Sequence, residues 1–260
     1  TQGFTLESLG GTSPARAELQ KLVGTLRDGG RPPYSSYLIK GNTGAGKTTL
    51  VRALAADLEK VGVHTFHADG ADFSEDGPQK LRRLFQEAQQ AALKSPGRTA
   101  VVHIDEIEAA ARIRSKTASL GMRVSAAVSG ALSGLAGMMG LKEVVPKDDP
   151  AEAHQTLATL TSLMEKNGNL ILMGTSSRVD TMDFDASKRF QRELQVDTPS
   201  GPEERLSILK SIVQREKLEV EPGVLEDMSK ATIGANPLGL EKGLRQAKVL
   251  GNGTITGDSA

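Results

Sequence analysis

The sequence predicts an α/β fold: a parallel five-stranded sheet sandwiched by helices, followed by a small all-helical domain. Three observations lead there. Short apolar runs alternate with segments whose apolar residues recur at helical spacing. The first run passes through a glycine-rich turn straight into a helix, and beyond TPSGP (198–202) only helical periodicity remains. Strands separated by helical crossovers pair in parallel and are covered on both faces.

Taken in order, SYLIKG (36–41) is the first strand and TTLVRALAADLEKV the helix after it. VHTFHAD (63–69) leads into QKLRRLFQEAQQAAL, and TAVVHIDE (99–106) into IEAAARI. NLILMGTSS (169–177) is reached from the helical AHQTLATLTSLMEK, and RELQVD (192–197) supplies the fifth strand. The remainder, EERLSILKSIVQREK, VLEDMSKAT and PLGLEKGLRQAKVL, is helical throughout. These readings place an α/β domain at residues 1–199, with an insertion at about 113–150, and a helical domain at 200–260. The chain starts at Thr1 and stops after TITGDSA, which reads as a fragment of a longer protein whose last helix is cut away.

Thirty-two basic and thirty-two acidic residues cancel, so no overall cationic field draws the chain to nucleic acid or an anionic membrane. The absence of Cys excludes disulfides and thiolate metal sites, and the four His show no ligand spacing. This suits the cytoplasm or another reducing compartment.

The turn after the first strand is GNTGAGKTT: Gly41, Asn42, Thr43, Gly44, Ala45, Gly46, Lys47, Thr48 and Thr49. It matches G-x-x-x-x-G-K-[ST] in the required strand-to-helix context. Glycines let backbone N–H groups close around phosphate oxygens, Lys47 can reach the outer phosphates, and Thr48 can offer a hydroxyl to Mg²⁺. The ligand expected is a nucleoside triphosphate. AVVHIDE ends in two acids at the C-terminal end of a buried strand, where open parallel sheets bind ligands. Asp105 is placed to face Mg²⁺. Glu106 either points at a water poised to attack the γ-phosphate or simply opens the next helix, where a carboxylate suits the dipole.

GNTGAGKTT, VVHIDE and LILMGTSS in this order, followed by a helical domain, resemble an AAA ATPase module of the protein-remodelling kind, over nearly the whole chain. The resemblance implies a P-loop NTPase fold, ATP and Mg²⁺ as ligands, and a homo-oligomeric ring, taken as a hexamer, acting on a protein substrate. In the family the fourth strand ends in a polar residue, often Asn, that orients the attacking water. Here Thr175 or Ser176 takes that place. The segment ending SKRFQRELQVD aligns Arg189 with the finger that reaches a neighbouring subunit's nucleotide in trans, and Arg192 is a second candidate. Leu9 and Gly10 resemble the stretch lying against adenine, and Ile208 and the stretch Gly234, Ala235 and Asn236 would close over the base from the helical domain. GANPLG lacks the arginine that some family members carry at that helix start.

Phe73 falls at the position of an aromatic that threading members present to the axial channel, though Ser74 and Glu75 replace its usual companions. The alternative is a ring turned into the core. The uncharged run VSAAVSGALSGLAGMMGL (124–141) lies within the insertion. A membrane helix needs about 20 predominantly apolar residues, whereas eleven of these eighteen are Ser, Gly or Ala. The segment therefore reads as a loose insertion or an adaptable contact surface. The rival function is a nucleotide-switched scaffold with slow hydrolysis; a DNA-directed loader is disfavoured by the charge balance and the missing arginine.

Overall fold

A computed structural model of the chain describes residues 4–11, 13–110, 150–166, 168–177, 188–251 and 253–257. The uncharged run at 124–141, and all of the predicted insertion before Pro150, lies outside these residues. No helix among the described residues is long and apolar enough to cross a membrane.

The five predicted strands form one parallel sheet: β1 (Ser36–Lys40), β2 (Thr65–Asp69), β3 (Ala100–Asp105), β4 (Leu170–Ser176) and β5 (Arg192–Gln195). Their order across it is β2-β3-β4-β1-β5, with all neighbours parallel. Helices α1 (Pro14–Arg27) and α2 (Lys47–Lys60) cover one face, burying Leu19, Leu22, Leu50 and Leu54 with Val101, Ile171 and Met173 of the sheet. Helices α3 (Gly77–Ala92) and α5 (Pro150–Lys166) cover the other, where Leu81, Phe85 and Leu160 meet Val102, Ile104 and Leu172. The short α4 (Ile107–Ala110) follows β3 directly. Successive strand side chains take opposite faces, which is why adjacent apolar residues in β3 and β4 feed two different cores.

Beyond β5 come α6 (Pro202–Glu216), α7 (Val224–Ala231) and α8 (Pro237–Leu250), gathered around a third core of Ile208, Leu209, Ile212, Met228, Leu240 and Leu244. Pro opens both α6 and α8, where a missing N–H does no harm. One expectation is corrected here: this region is not all helical. β6 (Glu219–Val220) pairs in parallel with β7 (Thr254–Ile255), and Ile255 is fully buried. Two-residue strands are too short for a period-two pattern to register.

The sheet order sets the site. Because β4 lies between β3 and β1, the C-terminal ends of these three strands sit side by side: the glycine loop after β1, Asp105 at the end of β3, and Thr175 near the end of β4.

Candidate functional site

The glycine loop is built by backbone conformations that side chains resist. Gly44 has φ +81° and Gly46, which caps α2, has φ +97°; glycine takes this region at little cost. A Cβ on Gly41 would lie 2.3 Å from the Val196 carbonyl oxygen, so β5 packs directly against the loop. Lys47 is buried and its Nζ donates to the carbonyls of Gly41 at 2.7 Å and Asn42 at 3.0 Å, holding the loop closed. Burial pushes the Lys47 ammonium below its ordinary value, opposed by Glu108, Asp105 and Glu106, which favour its charged form.

Thr48, one residue further into α2, donates its hydroxyl to Asp105 Oδ2 at 2.9 Å. The Thr175 hydroxyl donates to the other carboxylate oxygen, Oδ1, and accepts from the Glu106 N–H at 3.2 Å. Burial alone would raise the Asp105 pKa, yet these two hydroxyls, the facing His103 and the Glu106 amide together hold it below the usual value. Asp105 is therefore a fixed carboxylate. Its set of hard oxygen donors suits Mg²⁺, and the 2.9 Å between Thr48 Oγ1 and Asp105 Oδ2 is close to the edge of about 3.0 Å in an octahedron with metal–oxygen bonds of about 2.1 Å. The residues present fit the ion.

Glu106 sits just past the strand with φ +46°, a sparsely populated conformation for a non-glycine residue. Its carbonyl accepts from Ala109 at 2.7 Å, and Gly70 leaves it room: a Cβ there would come within 2.3 Å of the Glu106 oxygen. Glu106 is exposed, whereas its neighbours Ile107 and Glu108 are buried.

Of the two residues suggested for the β4 tip, only Thr175 faces Asp105. Ser176 is equally buried but belongs to the opposite face by strand alternation, and its contribution to the loop is a carbonyl accepting from Gly41 N–H at 3.3 Å. Phe73 also needs correcting. It is 4% exposed and packs in the core with Leu81 and Phe85, so it presents no ring to a channel. The cause is local: Asp69 and Asp72 form a capping box around the short 3-10 helix Gly70–Phe73, which rotates Phe73 inward.

Arg189 is half-exposed and, among the described residues, makes a loose contact at 3.7 Å to Glu165. Arg192 instead makes a two-pronged pair with Glu18 of α1, at 2.7 Å through both Nε and Nη2, and lies near the Tyr34 ring. That in-chain partnership counts against its use as a finger.

The cavity over the loop is lined by Leu9, Gly10, Ala45, Lys47–Thr49 and Ile208, and from α8 by Pro237, Leu238 and Glu241. Gly234 and Ala235 are not among the lining residues; the helix wall begins a few positions later. Gly10 is needed here, since a Cβ would lie 2.3 Å from the Ser207 carbonyl, and the Arg16 guanidinium pins the segment by donating to the Leu9 carbonyl.

One participant, Glu108, escaped the sequence reading, and so did the glycine-loop contact of Asn236, a residue of the stretch expected to close over the base. Glu108 is 2% exposed, one carboxylate oxygen accepting from Ser177 N–H at 3.2 Å and the other without a hydrogen-bond partner among the described residues. Its spacing, two residues after Glu106, does not predict burial. Asn236 caps α8 and also touches the glycine loop; the Asn-Pro pair signals the cap but not the contact.

Comparison with known proteins adds a family. A family model described as "ATPase family associated with various cellular activities (AAA)" matches residues 37–198, more than half of the 260. A search of curated proteins returns no match.

Proposed function

The chain belongs to the ATPase family associated with various cellular activities (AAA), and on that premise we propose that it hydrolyses ATP with Mg²⁺ inside a homo-oligomeric ring. The ring is a hexamer whose subunits complete one another's sites with Arg189, and the turnover remodels a protein substrate. The observation that carries the catalytic part is the 2.9 Å bond from Thr48 to Asp105, which unites the two motifs at one point.

Residues lining the loop from Gly44 to Thr49 surround the phosphates with N–H groups at the start of α2. Lys47 exchanges its hold on Gly41 and Asn42 for the outer phosphate oxygens. Mg²⁺, when bound, offsets the negative charge on those oxygens. Thr48 and Asp105 would hold the ion, Asp105 as a carboxylate because its pKa is held low. Glu106, exposed on its bent backbone, accepts a proton from the attacking water. Lys47 stands among three acids, Asp105, Glu106 and Glu108, so a further guanidinium close to the γ-phosphoryl group would favour the charge that builds there. The exposed Arg189 of a neighbour supplies that guanidinium.

A second reading, a nucleotide-switched scaffold with slow turnover, draws support from Thr175. Its hydroxyl proton is engaged by Asp105, which leaves it no donor for orienting a water. The burial of Phe73 likewise withholds from the threading idea the residue on which it leaned.

Mixing two disabled chains tests the shared site. Arg189→Ala and Glu106→Gln are each expected to lose turnover alone; mixed, an interface pairing the intact Glu106 of one with the intact Arg189 of the other regains activity. No recovery in mixed assemblies would contradict completion in trans.

A further inference from the structure

The contact between the helical domain and the glycine loop is made by one side chain doing two things. Asn236, with extended backbone at φ −84° and ψ 167°, accepts from the Gly239 N–H through Oδ1 at 2.8 Å and so caps α8. Its Nδ2 donates to the Thr43 carbonyl at 3.1 Å, across 193 residues of sequence. Two positions on, the Leu238 N–H donates to the Gly44 carbonyl at 3.2 Å. The first turn of a helix has N–H groups with no intrahelical partner. In α8, Pro237 has none to satisfy, Leu238 uses the glycine loop, and Gly239 uses Asn236.

The geometry of a trans peptide gives this contact a consequence. The carbonyl and N–H of one peptide unit point in opposite directions, and the chain has no cis bonds among the described residues. When Asn236 holds the Thr43 carbonyl, the Gly44 N–H of the same unit is fixed facing away from Asn236, on a residue that lines the cavity. A hydrogen bond at the oxygen also polarises that N–H into a better donor. Gly44 is tight against this partner: a Cβ would lie 2.7 Å from Asn236 Nδ2 and 3.1 Å from Leu238 Cβ.

Resting on the nucleotide-binding reading above, we propose that Asn236 is a positioning residue that orients the phosphate loop and ties nucleotide occupancy to docking of the helical domain. Linkage makes the effect reciprocal: phosphates that order the loop favour the docked domain, and docking favours retention of the phosphates.

Asn236→Asp and Asn236→Ser separate this role from simple capping. Both side chains are good caps, but Asp has no donor, and a Ser hydroxyl capping Gly239 is too short to reach Thr43 as well. Release of a fluorescent ADP analogue from the 260-residue chain is expected to be about three- to tenfold faster in both variants. Their unfolding midpoints without nucleotide stay close to wild type, whereas Asn236→Ala, which also loses the cap, unfolds earlier. Wild-type release rates in both variants would overturn the proposal while leaving nucleotide binding intact. Faster release in Asn236→Asp alone would also overturn it, since charge repulsion would then suffice. A wild-type chain that bound no ADP would bring down the functional reading and this proposal together.

Discussion

Replacing Thr175 by Val deletes one hydroxyl and restores nearly the same volume, so its effect isolates a hydrogen bond. In the native chain that hydroxyl donates to Asp105 Oδ1 and accepts from the Glu106 N–H, and the side chain is fully buried. Hydrogen bonds to charged groups are worth about 1.5–3 kcal/mol, and no water reaches Thr175 to replace this one. We expect a loss of about 2 kcal/mol, which in a protein of this size lowers Tm by roughly 4–8 °C. Thermal unfolding of the nucleotide-free chain at pH 7 measures it, with Thr175→Ser as the control that keeps the hydroxyl. The deficit also depends on pH. Asp105 has a depressed pKa in the fold, so its contribution is present above the unfolded carboxylate value and is lost as pH falls through the folded one. Val removes part of that contribution, and the gap between variant and wild type should narrow in acid. Equal stability at pH 7, or a gap that does not change down through the carboxylate range, would refute the reasoning.

His103 is 2% exposed, and burial pushes its pKa down to about 4. Since the unfolded chain takes up that proton near 6.5, the stability from keeping His103 neutral is complete above pH 6.5 and is lost on the way down toward 4. At about 1.4 kcal/mol per unit, the drop from 6.5 to about 4 makes the loss on the order of 3 kcal/mol; denaturant titrations of wild type and His103→Leu check it, the variant being flatter in this window. Gly44→Ala places a methyl at φ +81° and within 2.7 Å of Asn236 Nδ2, so nucleotide affinity should fall at least about tenfold, as read by fluorescence titration; native affinity would show that the loop and α8 separate freely. Arg192→Ala loses a half-exposed pair with Glu18 and the approach to the Tyr34 ring; it should lower Tm by at most a few degrees and leave phosphate release near wild type, whereas a large drop in turnover would reinstate it as a finger.

The three central strands β3, β4 and β1 were readable because buried parallel strands are near-continuous apolar runs, whereas the edge strands β2 and β5 are largely exposed; the glycine loop was readable because its chemistry is local, every residue from Gly41 to Thr49 lying in one short stretch. What escaped depends on contacts between distant residues. Arg192 finds Glu18 across 174 residues and Asn236 finds Thr43 across 193, and no short-range pattern announces either. Thr175 and Ser176 differ only in strand phase, which the neighbouring Asp105 resolves once β3 and β4 are paired. Phe73 was decidable in principle: Asp69 and Asp72, three residues apart, carry the capping signal that turns it inward. β6 and β7 were hidden by their length. Glu108 is buried by tertiary packing that places it beneath Ser177, and an acidic residue in a helix's first turn is ordinarily read as exposed.

Phosphate release from Mg²⁺-ATP by the wild-type chain and by Glu106→Gln, each beside its own ATP-binding titration, tests the central claim most directly. The account predicts release by wild type, and binding without release by the variant, because only the group that accepts the water's proton has been neutralised. Wild type that binds ATP without ever releasing phosphate, or a Glu106→Gln chain that turns over at the wild-type rate, would contradict it.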